Sequence, residues 1–492
     1  MNRYWDEGGH CDMKKKMAAA LTSIFIAASL AACGGNSGTG SPTANTDQVQ
    51  ESEAATEQTE PEDEQAESGQ NESQTAPAVE EMGKLSLDTT IEETVLFEDD
   101  NIRIIAESLD FKYNSPYLHL KFENNGDKAL SFVSGSIGYS GNSVNGYMVD
   151  GFYVNVDVEP GKTALEETYV NGDLLNILGI EKIKEIGIGF DIKDSDYNDY
   201  AQTGPLYIAT SDADGADDGE TYLKSIQNKK ITNLYGYTMD HLDENDFLQN
   251  DQLKGISSCL ITNKDGVQSL FLEVENVSDK VLNLRVSNII VNGVQLVSGS
   301  WTSETINPGK KRLVSISLDD VASHAGGTKE ELGITEYSTV KMDLDCLDNN
   351  MNNIFEKEAT FTLSGTKETF MTGQTEVYNN NDLKVSYAKT LKDDNGGIHL
   401  LFLIENNSSK DITFDVDYDT LSINGTMTDF ISYSKTLSPE VKSILNIEVS
   451  KYKLEDVKIT SPEEISDIEF KLEIRDSDYN EIDNPTIQVT TK

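Results

Sequence analysis

The sequence predicts an all-β protein: three tandem antiparallel β-sandwich modules behind a disordered acidic tether. Three observations predict it. One set of turn signals recurs three times in the same order, each copy closes on a run whose apolar residues alternate with period two, and the segment ahead of the first copy has no apolar periodicity. Such alternation marks a strand with one buried face. Several short strands separated by turn signals at this spacing argue for sandwiches.

The elements follow in chain order. Lys14-Lys15-Lys16 precede an apolar stretch from Met17 to Ala32, too short to span a bilayer comfortably as a permanent helix, so residues 1–32 read as a secretory signal peptide. Asp6, Glu7 and Asp12 put acid where a signal peptide carries positive charge, which makes Met13 the better start; Cys11 is removed on processing either way. Leu30-Ala31-Ala32-Cys33 resembles the bacterial lipobox. The resemblance implies that the Cys33 thiol accepts diacylglycerol and anchors the chain to the outer face of the cell membrane.

Composition bounds what the rest can do. Lysine and arginine number 39 against 86 aspartate and glutamate, a net charge of −47, so nucleic acid and anionic lipid surfaces are repelled. Membrane attachment must then come from the lipid on Cys33. Of four cysteines only Cys259 and Cys346 remain after processing and lipidation, so this is no disulfide framework. Residues 33–86 are rich in Gly, Ser, Thr, Gln, Asn and Glu, a composition that cannot bury enough apolar surface to offset its ordering entropy. They form a tether whose r.m.s. reach is on the order of 40 Å.

Beyond the tether the chain repeats itself, over residues 87–212, 219–365 and 370–492. Phe122-Glu123-Asn124-Asn125-Gly126-Asp127-Lys128 recurs as Val274-Glu275-Asn276-Val277-Ser278-Asp279-Lys280 and as Ile404-Glu405-Asn406-Asn407-Ser408-Ser409-Lys410. Val144-Asn145-Gly146, Val291-Asn292-Gly293 and Ile423-Asn424-Gly425 each put Asn-Gly after an apolar residue, the strongest short hairpin signal. Pro160-Gly161-Lys162, Pro308-Gly309-Lys310 and the weaker Pro439-Glu440-Val441-Lys442 come next.

An early strand in each copy shows one apolar face: Leu118, Leu120 and Phe122; Leu270, Leu272 and Val274; Leu400, Phe402 and Ile404. A late strand does the same through Ile186, Ile188, Phe190 and Ile192, through Val340, Met342, Leu344 and Cys346, and through Ile468, Phe470, Leu472 and Ile474. In two copies a short helical turn precedes the late strand. Thr328 with Glu331 and Ser461-Pro462 with Glu464 have capping-box spacing, and Gly333 is a natural stop.

Together, the Glu-Asn-Asn turn, the Asn-Gly hairpin, the Pro-Gly-Lys corner and the Asp-Ser-Asp-Tyr-Asn turn resemble the immunoglobulin-like modules of Gram-positive surface lipoproteins, many of them domains of unknown function. The resemblance covers nearly everything after residue 90. It implies an immunoglobulin-like fold and an extracytoplasmic setting, and it brings no catalytic residues. The middle copy departs from the pattern with an extra acidic segment from Tyr222 to Asp246.

Candidate chemistry is sparse. Asp194, Asp196 and Asn198, repeated as Asp476, Asp478 and Asn480, alternate oxygen ligands like the opening of a calcium loop, and the middle copy has Asp348-Asn349-Asn350-Met351-Asn352. Without glycine at the sixth position or glutamate at the twelfth the EF-hand reading fails, and the competing reading is a polar hairpin turn in which Asp and Asn satisfy backbone groups. Asp415, Asp417 and Asp419 alternate with Phe414, Val416 and Tyr418, a row of carboxylates that either gathers a cation or simply solvates a sheet face.

Cys346 takes a slot that is isoleucine in both other copies, and Cys259 lies in an early strand of the same module. They bridge only if their Cα atoms approach to about 5.5 Å. Trp301 stands where the first copy has Tyr153 and reads as a core or rim aromatic. Of His119, His241, His324 and His399, only the first and last fall at matching places, and no His-Cys or His-His spacing suggests zinc. There is no Gly-rich phosphate loop and no Gly-x-Ser-x-Gly elbow, so no cofactor and no enzymatic activity is expected. The expected function is a lipid-anchored, non-enzymatic module that binds another envelope or extracellular protein; the alternative is a structural spacer without a specific ligand.

Overall fold

The computed structural model describes residues 85–134, 141–214, 221–228, 232, 236–348 and 350–491. The signal peptide, Cys11, Cys33 and nearly all of the tether lie outside the described residues. The last two tether residues do not behave as tether: Leu85 is buried and its N–H donates to Asn176 Oδ1 at 2.8 Å, while the Ser86 N–H donates to the Glu181 carbonyl. The first core therefore claims chain slightly earlier than composition suggests. No helix of the described residues is long and apolar enough to cross a membrane.

The described chain is all-β, with antiparallel pairing throughout each sandwich and four short helices. In the first copy, β1 (Ile102–Lys112), β2 (Ser115–Asn124) and the edge strands Thr94–Glu98 and Lys162–Tyr169 make one sheet. Strands Leu130–Ser134, Asn155–Val158, Phe190–Asp194 and Asp199–Gln202 make the sheet that faces it. Between them Phe122 packs against Phe132 and Phe190, with ring centroids 5.1 and 5.5 Å apart. The alternating apolar residues of the early and late strands are buried in all three copies. The same layer recurs in the third copy, where Phe402 and Phe470 meet edge to face at 5.0 Å.

The recurring asparagines explain why the turn signals recur. Asn124, Asn276 and Asn406 are buried, and each donates from Nδ2 to two backbone carbonyls: Lys128 and Val158, Lys280 and Ile306, Lys410 and Leu437, at 2.7–2.8 Å. Each Oδ1 accepts the N–H two residues on, at 3.0 Å. The side chain thus ties the strand end to its own turn and to a strand far along the chain. The hairpin asparagines Asn145, Asn292 and Asn424 take φ of +47°, +48° and +51°, followed by glycine at +86°, +76° and +76°. Their side chains also receive two backbone N–H groups and donate to a third residue's carbonyl.

The capping boxes fare differently. Thr328 and Glu331 bond reciprocally, at 2.9 and 3.2 Å, and Gly333 ends the turn at φ +72°. Ser461 makes no side-chain cap; Glu464 accepts instead from the N–H and hydroxyl of Thr460, one residue earlier, because Pro462–Glu464 is a single 3-10 turn.

Sheets do not stop at the copy boundaries. Beyond the Asn-Gly turns of the first two copies a two-residue strand, β3 (Tyr147–Met148) in the first copy, pairs in parallel with the strand that follows the proline corner of the next. With β4 as the first copy's Lys162–Tyr169, the second copy supplies β5 (Leu253–Thr262), β6 (Gln268–Asn276), β7 (Val294–Gln295) and β8 (Lys311–Ser317). The third supplies β9 (Leu383–Lys392), β10 (Ile398–Asn406), β11 (Thr426–Met427) and β12 (Lys442–Val449). Tyr147 of β3 is opposite Lys311 of β8; Val294 and Gln295 of β7 are opposite Lys442 and Ser443 of β12. Among the described residues these are the only parallel pairings.

Three hydrophobic cores lie along the chain, and two are shared across boundaries. The first takes in Cys259, Ile261 and Phe271 from β5 and β6, and the second takes in Leu401, Leu403 and Ile444 from β10 and β12. The extra segment of the middle copy belongs to the same seam: Tyr222 and Ile226, on a helix spanning Thr221–Gln227, are buried in the first core.

Candidate binding surfaces

The Asp-Ser-Asp-Tyr-Asn turns are closed on their own backbone. Asp194 Oδ1 accepts the N–H groups of Asp196 and Asn198 at 3.0 Å; Asp348 and Asp476 do the same with Asn350 and Asn352, and with Asp478 and Asn480. The residue between takes φ of +62° or +63° in each turn. The Lys128 ammonium, with the Asn198 backbone and side chain behind it, holds the Asp194 carboxyl down at about 2. These oxygens are spent on forming the turn, and no group of three or more His, Cys, Asp or Glu among the described residues is arranged to hold a metal ion.

The aspartate row does not extend along one strand. The strand ends at Val416, Asp417 donates its N–H to the Lys471 carbonyl, and Asp419 turns away at φ +55°. Burial raises the Asp415 carboxyl, with Glu473 opposite adding to the effect. Cys259 and Cys346 are both free thiols, in different cores, so they form no disulfide; burial pushes each up to about 12. Cys346 is buried within the second core, whereas Cys259 is buried in the core shared with the first copy.

Trp301 is a half-buried rim aromatic against the second core, edge-on to His324 at 5.8 Å. His119 contacts Asp110 and Glu167 at 3.2 and 3.5 Å, and His399 Nδ1 meets Asn446 Oδ1 at 3.0 Å. Once Glu123 and Glu405 are aligned, these two histidines stand two register positions apart: His119 is matched by Leu401, and His399 by Tyr117.

The seam between the first two copies carries a charge cluster invisible to spacing arguments. Arg312 of β8, its side chain 11% exposed, packs beside Glu304 and reaches Asp150 of the first copy at 2.8 Å. Burial works against the Arg312 charge, and the two carboxylates more than restore it; burial raises the Glu304 carboxyl against the pull of Arg312. Lys310 adds a bridge to Glu185 at 2.8 Å and lies over the Tyr207 ring.

At the far end of the third copy the equivalent hairpin is uncovered. Strand β11 pairs only with Ser422–Ile423, and both its residues are exposed. Met427 and Asp429 line a groove of about 310 Å³ with Asp419, Thr428, Lys453 and Asp456. Asp429 pairs with Lys453 at 2.5 Å. The exposed side chains of Tyr418, Ile431, Tyr433 and Tyr452 are close chain neighbours of the groove residues.

Fold and surfaces together define an all-β sandwich protein whose sheets run on from copy to copy. No known family model matches the chain, and no curated relative is found. Solved structures offer distant likenesses. One from a 1.5-MDa bacterial ice-binding adhesin is 12% identical, over 76% of this chain and 90% of that one, at a TM-score of 0.13. A Salmonella enterica pilin in complex with its chaperone is 11% identical, over 45% of this chain and 88% of that one, at 0.13. An Amycolatopsis orientalis exo-chitosanase is 9% identical over 48% of this chain, at 0.17, and this chain spans 26% of its length. At such TM-scores none of these likenesses carries an argument about activity or partner.

Proposed function

We propose that the chain is a non-enzymatic, lipid-anchored surface protein of a Gram-positive cell, held through Cys33 outside the cytoplasmic membrane, whose immunoglobulin-like modules bind another envelope or extracellular protein. The observation that carries this reading is the charged groove of the third copy, lined by the exposed Met427 and flanked along the chain by the exposed Tyr418, Ile431, Tyr433 and Tyr452. Scattered apolar surface residues are ordinary, whereas a clustered group rimmed by charge marks a contact site. The net charge of −47 argues against nucleic acid as the partner. The sequence features that suggested a bound ion or a disulfide have structural duties: the Asp-Ser-Asp turns close on backbone, and the two cysteines are buried free thiols.

A structural spacer is the second reading, favoured by the sheets that cross both copy boundaries and stiffen the array. In-cell crosslinking from Tyr433, followed by affinity capture, separates the two, with Cys33→Ala as the unanchored control. One dominant partner, captured by the anchored form alone, is the expected result. A diffuse set of abundant wall and membrane proteins would favour the spacer.

A further inference from the structure

We infer that the tip of the third copy, β11 with its groove, is a docking end for one edge strand of a different β-sandwich protein, added parallel to β11. This rests on the reading of the chain as a binding protein and names the kind of partner. One interface repeats within the molecule. In the first copy the strand after Asn145-Gly146 is covered by β8, with the Lys311 N–H donating to the Gly146 carbonyl at 2.8 Å; in the second, the strand after Asn292-Gly293 is covered by β12. Tyr147, Met148, Val294 and Gln295 are buried as a result, while Thr426 and Met427 at the same positions of the third copy are exposed.

The two internal junctions define what such a strand must bring. Its third residue is apolar: Leu313 packs against the first core and Ile444 is buried in the second. Its neighbour strand turns an apolar outer face to the seam, through Phe271 in one junction and through Leu401 and Leu403 in the other. In the first junction a basic residue, Arg312, meets Asp150, whose counterpart at the tip is Asp429. With no arginine to meet, Asp429 turns to Lys453 of its own copy.

A second copy of this chain does not meet that description. The first copy offers a free edge in β4, with Leu165 68% exposed at the position of Leu313 and Ile444. But His119 and Lys121 stand where the other copies have Phe271 and Leu401, and Glu273 and Leu403. Its outer face also carries Lys112 and Glu167 as an ion pair. A polar outer face is how a terminal repeat is capped, so the first copy lacks the apolar face that covers β3 and β7, while β11 is exposed.

The test uses the chain itself as the probe. In the full chain carrying Cys33→Ala, the pair His119→Phe and Lys121→Leu gives the first copy the outer face that its neighbours use. Sedimentation velocity should then show concentration-dependent head-to-tail association, with the parent chain monomeric. Adding Met427→Asp, at an exposed position that leaves the fold alone, should weaken that association at least about tenfold. Three outcomes would overturn the inference: no association of the double variant, association indifferent to Met427→Asp, or a parent chain that already associates through its tip, which would make a second copy the occupant. A double variant that stays monomeric while crosslinking from Tyr433 still yields one partner would sink the docking end and leave the binding role standing.

Discussion

Asn406 has no charge and no reactivity, yet it makes two Nδ2 donations and two Oδ1 acceptances inside the third copy, as Asn276 does in the second. Replacing it with alanine takes the amide donor from the buried Leu437 carbonyl, leaves the Lys410 carbonyl with the Ser408 hydroxyl, and removes the pin between strand end and turn. Asn406→Ala should cost about 2–4 kcal/mol in urea unfolding, and a loss below about 0.5 kcal/mol would mean water replaces the amide. Lys435 is a different case. It is buried, its ammonium donates to the Ile444 carbonyl at 2.8 Å, and burial lowers it from 10.5 to about 8. Because the unfolded chain holds this proton more tightly, the penalty is fully present below about pH 8 and is relieved as pH rises from 8 to 10.5. Lys435→Met should therefore stabilise the protein by about 2 kcal/mol at pH 7, and the gain should shrink to nothing above pH 10.5. A gain that is the same at both pH values would exclude desolvation of the amine as its source.

Strands and turns are the scale at which this sequence is most legible. Asn-Gly after an apolar residue fixes a hairpin because both residues accept positive φ, and all three were found as expected. The period-two runs gave the buried faces of the early and late strands in every copy. What spacing did not reveal is the parallel seam, since two-residue strands such as β3 and β7 carry no periodicity. A signal was nevertheless present. Tyr117-Leu118-His119-Leu120-Lys121-Phe122 alternates cleanly, whereas Leu270-Phe271-Leu272 and Ile398 to Ile404 are nearly continuous apolar runs. Such a run belongs to a strand covered on both faces, which is how β6 and β10 are placed. The strand of Cys259 is likewise covered on both sides, with Leu260 buried in the second core and Cys259 and Ile261 in the first. The Cys259 thiol and that of Cys346 should resist a small thiol reagent in the native protein and both react once it is unfolded; labelling of one only after reduction would show a bridge that the fold does not contain.

For the molecule as a whole, shared cores make neighbouring copies mechanically one body where the seam is tight. The first core takes in Tyr222, Ile226, Cys259 and Phe271 from the second copy, so it is completed across the seam. Arg312 is the electrostatic centre of that seam, between Glu304 of its own copy and Asp150 of the preceding one. Arg312→Ala leaves two partly exposed carboxylates facing each other without their counter-charge and should cost about 2–4 kcal/mol. The loss should fall on the coupling: calorimetry should resolve a separate early transition for the first core, where the parent protein melts its first two cores together. Acid should soften the effect. Burial already raises the Glu304 carboxyl, and without the arginine that pulls it down it takes up a proton more readily as pH falls, so the deficit at pH 5 should be smaller than at pH 8. An unchanged single transition, or a deficit that grows in acid, would mean that apolar burial from β5 and β6 couples the two copies and that the arginine merely satisfies its neighbours.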